Sequence, residues 1–321
     1  MEVSASAKGR FCKDCGIPIR IFQEPYFTDR MELYDRFYGT LEKWNVFLNE
    51  LKKYPCEQDY FEEYNRVKDD AILSIKDTEA YQKFNEDDMN QYSVTHKNLP
   101  SKDIFKPSND GKSFISIDMR KANFSALHHY DPTIFQGANS WEEFVRKYTD
   151  NQHIINSKYI RQVILGNCNP KRHITYERYL MDIVLSHLID GSVSIDRVVF
   201  FSNDEIVLDI SDLNESDQKS MALQIENSMK DMPVPLKTEF FTLHQIAGSG
   251  GYYKEILNEN GNTEIELKCL NNYELPFVLR TFLGEEITES DKVFYHEGLL
   301  AKFIEIPRIE VNLMLPTRKK K

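Results

Sequence analysis

The sequence contains no apolar run approaching the roughly 18–20 residues that a membrane-spanning helix needs. Its first ten residues, MEVSASAKGR, lack the apolar stretch of a secretory signal. It also contains no internal repeat and no low-complexity tract. These absences argue against membrane, secreted and repeat proteins. We therefore expect a soluble, intracellular protein with no membrane partner.

Cysteines are few, and they are scattered along the chain. The five of them are an odd number, which fits reduced thiols better than a disulfide framework. Cys12 and Cys15 form a Cys-x-x-Cys pair, which is half of a zinc knuckle. No second pair of Cys or His follows to complete four zinc ligands. The sequence therefore argues against a zinc site and favours a structural turn.

Charge is present in excess but is unevenly distributed. The net charge is −11, which argues against a surface that binds nucleic acid everywhere. Residues 111–180 hold ten Lys/Arg and six Asp/Glu, so this window carries +4 and the rest of the chain −15. Residues 151–176 contain no acidic side chain. The pattern indicates a local anion site, with chance clustering on a solvated face as the alternative.

The 321 residues, 41% of them hydrophobic, are enough for a large core, and we divide them into three segments. Residues 1–105 are predicted to be mainly helical after an irregular stretch at 1–30, with one amphipathic helix over 31–53. Residues 106–246 form the central segment. Residues 247–321 are predicted to contain a β-hairpin, a helix over 274–281 and a basic tail. The hairpin strands are 252–257 and 263–270, and the tail is 318–321.

The central segment mixes strand and helix patterns. An alternating strand comes first, then several helices, two strands that form a hairpin, an amphipathic helix and a last strand. We therefore predict an α+β fold. The predicted strands are 113–119, 193–201, 205–210 and 235–243. The predicted helices are 141–148, 158–165, 175–188 and 215–229, and 123–129 is predicted to be a helix or a tight turn.

Two aspartates follow apolar β-segments in this region. Asp118 ends the strand that begins at Ser113, and Asp204 lies between the two hairpin strands. If these strands are neighbours, the two carboxylates can share divalent cations, as phosphoryl transfer requires. Oxygen ligands suit Mg²⁺, or Mn²⁺ in its place. The alternative is that each aspartate merely ends a strand at a turn.

The order of these elements resembles the palm of family A DNA polymerases and, more remotely, that of single-subunit RNA polymerases. The first family motif is similar to 118–127, DMRKANFSAL. The last motif, an apolar strand followed by His-Asp-Glu and a second strand, is similar to 198–209, VVFFSNDEIVLD. The helix and the Val-Pro-Leu strand that follow in the family are similar to 215–229 and 234–236.

The resemblance implies an antiparallel palm-type sheet with packed helices. It makes Asp118 and Asp204 catalytic metal ligands, with Glu205 beside them. Asn123 takes the position that screens the sugar, where the family has Glu. Asn203 replaces the motif His and is expected at the primer terminus. Both replacements change the chemistry, because an amide can hydrogen-bond but carries no charge.

The middle motif of the family, a fingers helix that grips the triphosphate, is poorly matched. Its best candidate contains Lys158 and Arg161, and Lys171 and Arg172 are rival contacts to the phosphates. Only 86 positions separate Asp118 from Asp204, so most of the fingers must be missing. Because most of the fingers are missing, a protein partner that completes the fingers or thumb is compatible with this resemblance.

Two functions are compatible with this pattern. The first is a minimal nucleotidyltransferase that extends a DNA or RNA 3′ end from nucleoside triphosphates with two metal ions. The second is a catalytically inactive palm that acts as a nucleic-acid-binding or assembly module. The small size and unfamiliar flanking segments suggest a viral protein or one from another mobile element.

Overall fold

The computed structural model describes residues 2–191, 193–257 and 263–315 of the chain. In this part of the chain it is an α+β protein, as predicted, with twelve α-helices, a six-stranded antiparallel sheet and a separate two-stranded sheet. None of these described helices is long and apolar enough to cross a membrane. The tail at 318–321 and the tip of the predicted hairpin at 258–261 lie outside the described residues.

The N-terminal region is helical, but two predictions there are wrong. Residues 1–30 are not irregular throughout, because α1 runs from Ala5 to Asp14 and Ser4 caps it by accepting a hydrogen bond from Ala7 N. The single helix predicted over 31–53 is two helices, separated by Gly39 in the left-handed conformation at φ 58°. The N-terminal helices are α1 Ala5–Asp14, α2 Tyr26–Tyr38, α3 Thr40–Leu51, α4 Glu57–Lys76 and α5 Glu79–Glu86.

The central helices follow the predicted order. The longest begins earlier than its apolar pattern, because Pro170 occupies the first turn, where a missing N–H is tolerated. Asn214 caps the last of them by accepting from Asp217 N. These helices are α6 Ala122–Tyr130, α7 Trp141–Val145, α8 Gln152–Ile155, α9 Lys158–Gly166, α10 Pro170–Asp190 and α11 Glu215–Ser228, and α12 Leu275–Leu283 follows in the C-terminal segment.

The large sheet has the strand order β2-β3-β1-β4-β5-β6, and every neighbouring pair is antiparallel. Its first four strands and the helices between them give the split β-α-β-β-α-β order. The predicted C-terminal hairpin adds the last two strands. The strands are β1 Ser113–Met119, β2 Val198–Phe201, β3 Glu205–Asp209, β4 Leu236–Gln245, β5 Tyr252–Leu257 and β6 Thr263–Lys268, and the small sheet contains β7 Val293–His296 and β8 Leu299–Lys302.

The two faces of the large sheet bury different clusters. Ile115, Ile117 and Met119 of β1 belong to the main hydrophobic core, which also contains residues of α1, α4, α10 and α12. Phe114 alternates to the other face and packs in a smaller cluster with Phe241. Because the main core draws on all three predicted segments, they pack against each other. The boundaries proposed at 105 and 246 stay a prediction.

Candidate active site

The β1 end and the β2–β3 turn are joined by backbone pairing. Asp118 lies opposite Glu205 in the antiparallel register, and Met119 N donates to the carbonyl oxygen of Asp204 at 2.8 Å. Ser202 organises the turn, because its Oγ donates to Asp204 Oδ1 at 2.9 Å and accepts from Glu205 N at 2.9 Å. The strands predicted to be neighbours are therefore neighbours, and Asp118 and Asp204 are held at the same end of the sheet.

A cavity of about 390 Å³ opens at this end of the sheet. It is bounded by the ends of β1 and the turn, the first residues of α6, and one face each of α9 and α10. Five of the predicted site residues line it: Asp118, Asp204, Asn123, Lys158 and Arg161. Residues up to 86 positions apart in the sequence thus share one cavity with opposite charges on its walls.

Glu205 lies outside this lining. Its Oε1 is 4.0 Å from Nζ of Lys254, a buried lysine on β5. Lys254 Nζ is also 3.4 Å from Glu239 Oε2 and 3.8 Å from Glu266 Oε2, and it lies 4.5 Å from the centre of the Phe241 ring. Lys254 thus offsets several carboxylates on the face of the sheet that carries Phe114 and Phe241, and Glu205 belongs to that group.

Asn203 connects the turn to α10. Its Nδ2 donates to Oε2 of Glu177 at 2.8 Å. Glu177 lines the cavity, and it is a buried residue with only 4% of its surface exposed. Burial raises the pKa of Glu177 to about 7, the hydrogen bond from Asn203 lowers it, and the charge of Asp204 raises it further. Asn203, which was predicted at a primer terminus, therefore holds the carboxylate of Glu177 in place at the site.

Lys171 and Arg172 do not line the cavity, although they lie at the start of α10. Lys171 is exposed. Arg172 turns toward α5, where its Nε donates to the carbonyl oxygen of Phe84 at 2.9 Å and its Nη2 to that of Asp87. Their predicted contacts to phosphate stay a prediction based on the sequence.

Lys121 is a cation of the cavity that the sequence did not single out. It precedes α6 with φ 50°, a left-handed conformation that is uncommon for a residue with a side chain. Its Nζ lies 2.5 and 2.6 Å from the two carboxylate oxygens of Glu142. This ion pair sets the direction of the lysine at the turn between Asp118 and Asn123.

Arg161 is a second cation of the cavity with an unusual environment, because part of its guanidinium is buried. Burial lowers its pKa, and the charge of Glu142 opposes that shift. Its Nε is buried and has no hydrogen-bond partner in the described part of the chain. Arginine stays charged under these conditions, so the cavity presents a fixed positive charge with an unused donor. A phosphate oxygen is a ligand that such a group accepts.

The carboxylates of the site concentrate negative charge. Burial raises the pKa of Asp118 to about 6, and the charges of Glu205, Asp204 and Glu239 add to the shift while Lys254 opposes it. A cation between Asp118 and Asp204 would offset this negative charge. Among the described residues, no group of three or more His, Cys, Asp or Glu is arranged to hold a metal. Magnesium needs only one or two protein carboxylates when phosphates and waters complete its ligands.

The two cysteines of the Cys-x-x-Cys pair belong to the N-terminal core. Cys12 is buried in α1, and Cys15 follows the end of that helix. Burial raises the pKa of both thiols to about 12. Cys12 is part of the main hydrophobic core and Cys15 packs against it, so both thiols serve the packing of the N-terminal region.

Sequence reasoning missed Glu177 and His173, which line the cavity from α10. A signal for Glu177 existed, because it continues the helical stripe of Met181, Val184 and Leu188, all buried. A carboxylate in such a stripe is either paired or functional. The packing of α10 near the β2–β3 turn brings this face of the helix close to Asp204, and the sequence pattern of the helix does not reveal that.

Comparisons with known proteins give no identification: no family model, no curated protein and no solved structure matches the chain. The similarity to the family A palm therefore rests on the motifs quoted above, and the site is interpreted from its own chemistry.

Proposed function

We propose that this chain is a nucleotidyltransferase that extends the 3′ end of a DNA or RNA strand from nucleoside triphosphates. The observation that carries the proposal is the single cavity lined by Asp118, Asp204, Asn123, Lys158 and Arg161. Two carboxylates face cationic side chains there, which is the donor set that a metal-bound triphosphate needs. An intracellular protein is part of the proposal, because its substrates are found inside cells.

In this proposal Asp118 and Asp204 would hold Mg²⁺ or Mn²⁺. Such a metal, when bound, activates the attacking hydroxyl and stabilises charge on the transferred phosphate and the leaving pyrophosphate. Glu205 is left out of the ligand set because it lies beside Lys254. Ser202 keeps Asp204 oriented through its hydrogen bond to Oδ1.

The cationic residues have separate positions along the cavity. Lys158 begins α9, and Arg161 follows one turn later on the same helix face. Both would neutralise phosphate oxygens, with Arg161 Nε supplying the unused donor. Asn123, in the first turn of α6, would contact the sugar. Because the fingers are short, a protein partner that completes the grip on template and nucleotide remains part of the proposal.

Incorporation of labelled nucleotides tests this function directly. Purified protein is incubated with Mg²⁺ or Mn²⁺, ribo- or deoxynucleoside triphosphates, and primed or single-stranded DNA and RNA. Wild type should extend at least one primer, and Asp118→Ala and Asp204→Ala should lower the rate by about a thousandfold or more. Asp190→Ala, an exposed aspartate at the end of α10, is the matched control and should leave the rate unchanged.

The competing function predicts a different result. An inactive palm would bind nucleic acid with steep salt dependence and show no extension under any of these conditions. Binding would then survive both aspartate substitutions. That outcome would remove the proposed activity and leave the binding module.

A further inference from the structure

The cavity extends along α10 beyond the carboxylates. Pro170, His173, Ile174 and Glu177 all line it and recur at three- and four-residue steps, so they share one side of the helix. His173 lies about 6 Å from Glu177 along the helix axis, and Pro170 begins the helix. A ligand that starts at Asp204 and passes Glu177 therefore reaches His173.

His173 lines this part of the cavity and carries a ring nitrogen without a hydrogen-bond partner among the described residues. It is 2% exposed, and its Nε2 is buried with no partner in the described part of the chain. Burial lowers its pKa to about 4, and a hydrogen bond with the backbone of Cys168 opposes that shift. Since Nε2 has no partner, that bond belongs to Nδ1. A neutral imidazole whose Nδ1–H donates to Cys168 leaves Nε2 as an acceptor.

The His173 ring packs against the ring of Phe84, with 5.9 Å between their centres, and Gln162 of α9 is a polar residue of the same cavity. Leu165 and Gly166 of α9 and Pro170 and Ile174 of α10 line the same end, and Ile174 is 49% exposed. A buried acceptor that has no protein partner is uncommon and destabilising unless a ligand or water satisfies it. The ligand group that fits is flat or apolar at its sides and carries an N–H donor.

We propose that this end of the cavity binds the nucleobase, and that His173 Nε2 accepts a hydrogen bond from an N–H of the base. The inference rests on the nucleotidyltransferase function proposed above. Phosphate does not suit the position, because a phosphate oxygen and Nε2 are both acceptors. The protein itself, and not only a template strand, therefore discriminates among nucleotides.

Calorimetric titration of the full chain tests this assignment. The probes are ATP, GTP, CTP, UTP and inorganic tripolyphosphate, each with Mg²⁺. Wild type should bind its preferred nucleotide about five- to tenfold more tightly than the weakest, as one neutral hydrogen bond provides. His173→Phe should remove that preference and leave tripolyphosphate affinity unchanged. Lys158→Ala and Arg161→Ala should weaken all five probes together.

Two controls separate a base contact from a structural role. His173→Gln keeps a donor for Cys168 and an acceptor for the base, so it should retain most of the preference. His187→Phe changes an exposed histidine of the same helix and should change nothing. Methylation of the base N–H groups of the preferred nucleotide should reduce its affinity to that of the weakest one, a test that needs no variant.

Several results would overturn the inference. They are equal binding of all four nucleotides to wild type, no nucleotide binding at all, equal loss of tripolyphosphate affinity in His173→Phe, or full affinity for the methylated nucleotide. Extension that depends on Asp118 without any base preference would refute this inference alone. Selective binding with no extension on any primer would refute the proposed function alone.

Discussion

Two groups of buried charge in this molecule differ in how completely they are paired. Asp291 is 1% exposed, and it accepts from Arg30 Nη1 at 3.0 Å and from Arg280 Nε at 3.0 Å. Thr288 adds its N and Oγ1 to the same carboxylate, each at 2.8 Å. This group, the Asp291 cluster, joins α2 to the C-terminal segment and satisfies both carboxylate oxygens.

The candidate active site is built differently. Glu177 and Asp118 have raised pKa values, and Arg161 Nε and His173 Nε2 have no hydrogen-bond partners in the described part of the chain. Burying charge without full compensation destabilises a fold, and it persists where function needs it. The contrast indicates that the Asp291 cluster holds the fold together, whereas the cavity is arranged for a ligand.

The largest expected effect is on the paired group. Asp291→Ala leaves Arg30 and Arg280 without their shared carboxylate, so we expect the free energy of unfolding to fall by about 3–5 kcal/mol. Urea denaturation measures this loss. Affinity of the folded variant for Mg²⁺ and nucleotide should stay unchanged. A loss below about 1 kcal/mol would show that the cluster is not a structural anchor.

Removing a charge is expected to stabilise the protein at the cavity, whereas it destabilises the protein at the Asp291 cluster. The native state holds the proton of Glu177 more tightly than the unfolded chain, since burial raises the pKa from 4.5 to about 7. Between these two pKa values the native state therefore binds more protons than the unfolded state. The contribution of Glu177 to the free energy of unfolding falls as pH rises. Glu177→Gln should stabilise the protein by about 3 kcal/mol at pH 8 and have little effect at pH 4.

Denaturation of wild type and Glu177→Gln at both pH values, with a chelator present, measures this difference. The matched variant is Glu32→Gln, an exposed change on α2 that should alter stability equally at both pH values. A destabilised Glu177→Gln protein at pH 8 would place Glu177 with the structural carboxylates and break the contrast.

A smaller effect is expected at Asp14, a second fully paired carboxylate. It accepts from Tyr64 at 2.8 Å, Ser157 at 2.7 Å and His153 at 3.1 Å, and Ser157 caps α9 next to Lys158. Asp14→Asn keeps one acceptor oxygen, so we expect a loss of about 2 kcal/mol in the free energy of unfolding. Because α9 is anchored there, tripolyphosphate affinity should also fall. Unchanged stability would remove Asp14 from the structural group.

The sequence predicted the α+β class, most elements of residues 106–246 and the proximity of Asp118 to Asp204. The class and the elements follow from local patterns, since apolar alternation and turn residues mark strands and hairpins. The proximity follows from the resemblance in the order of elements, because β1 pairs with β3 far along the chain. It failed at Gly39, where one glycine ends a helix within an unbroken apolar period. The spacing of the apolar residues alone does not predict that the helix breaks at Gly39.

The parts of the site that escaped prediction depend on long-range packing. Lys254 reaches Glu205 because β5 joins the sheet beyond β4, and His173 reaches the cavity because α10 lies across from α9. No spacing between residues along the chain encodes these distances. Arg172 shows the converse, because it resembled a phosphate contact in the sequence but binds the backbone of α5.

The central claim is that the carboxylates of Asp118 and Asp204 form a metal site, and Mn²⁺ binding followed by electron paramagnetic resonance tests it most directly. Wild type should bind Mn²⁺, and more tightly with ATP present. Asp118→Asn and Asp204→Asn should each lower the affinity by about tenfold or more, while Asp190→Asn should not. Equal Mn²⁺ affinity in wild type and in both site variants would contradict the account.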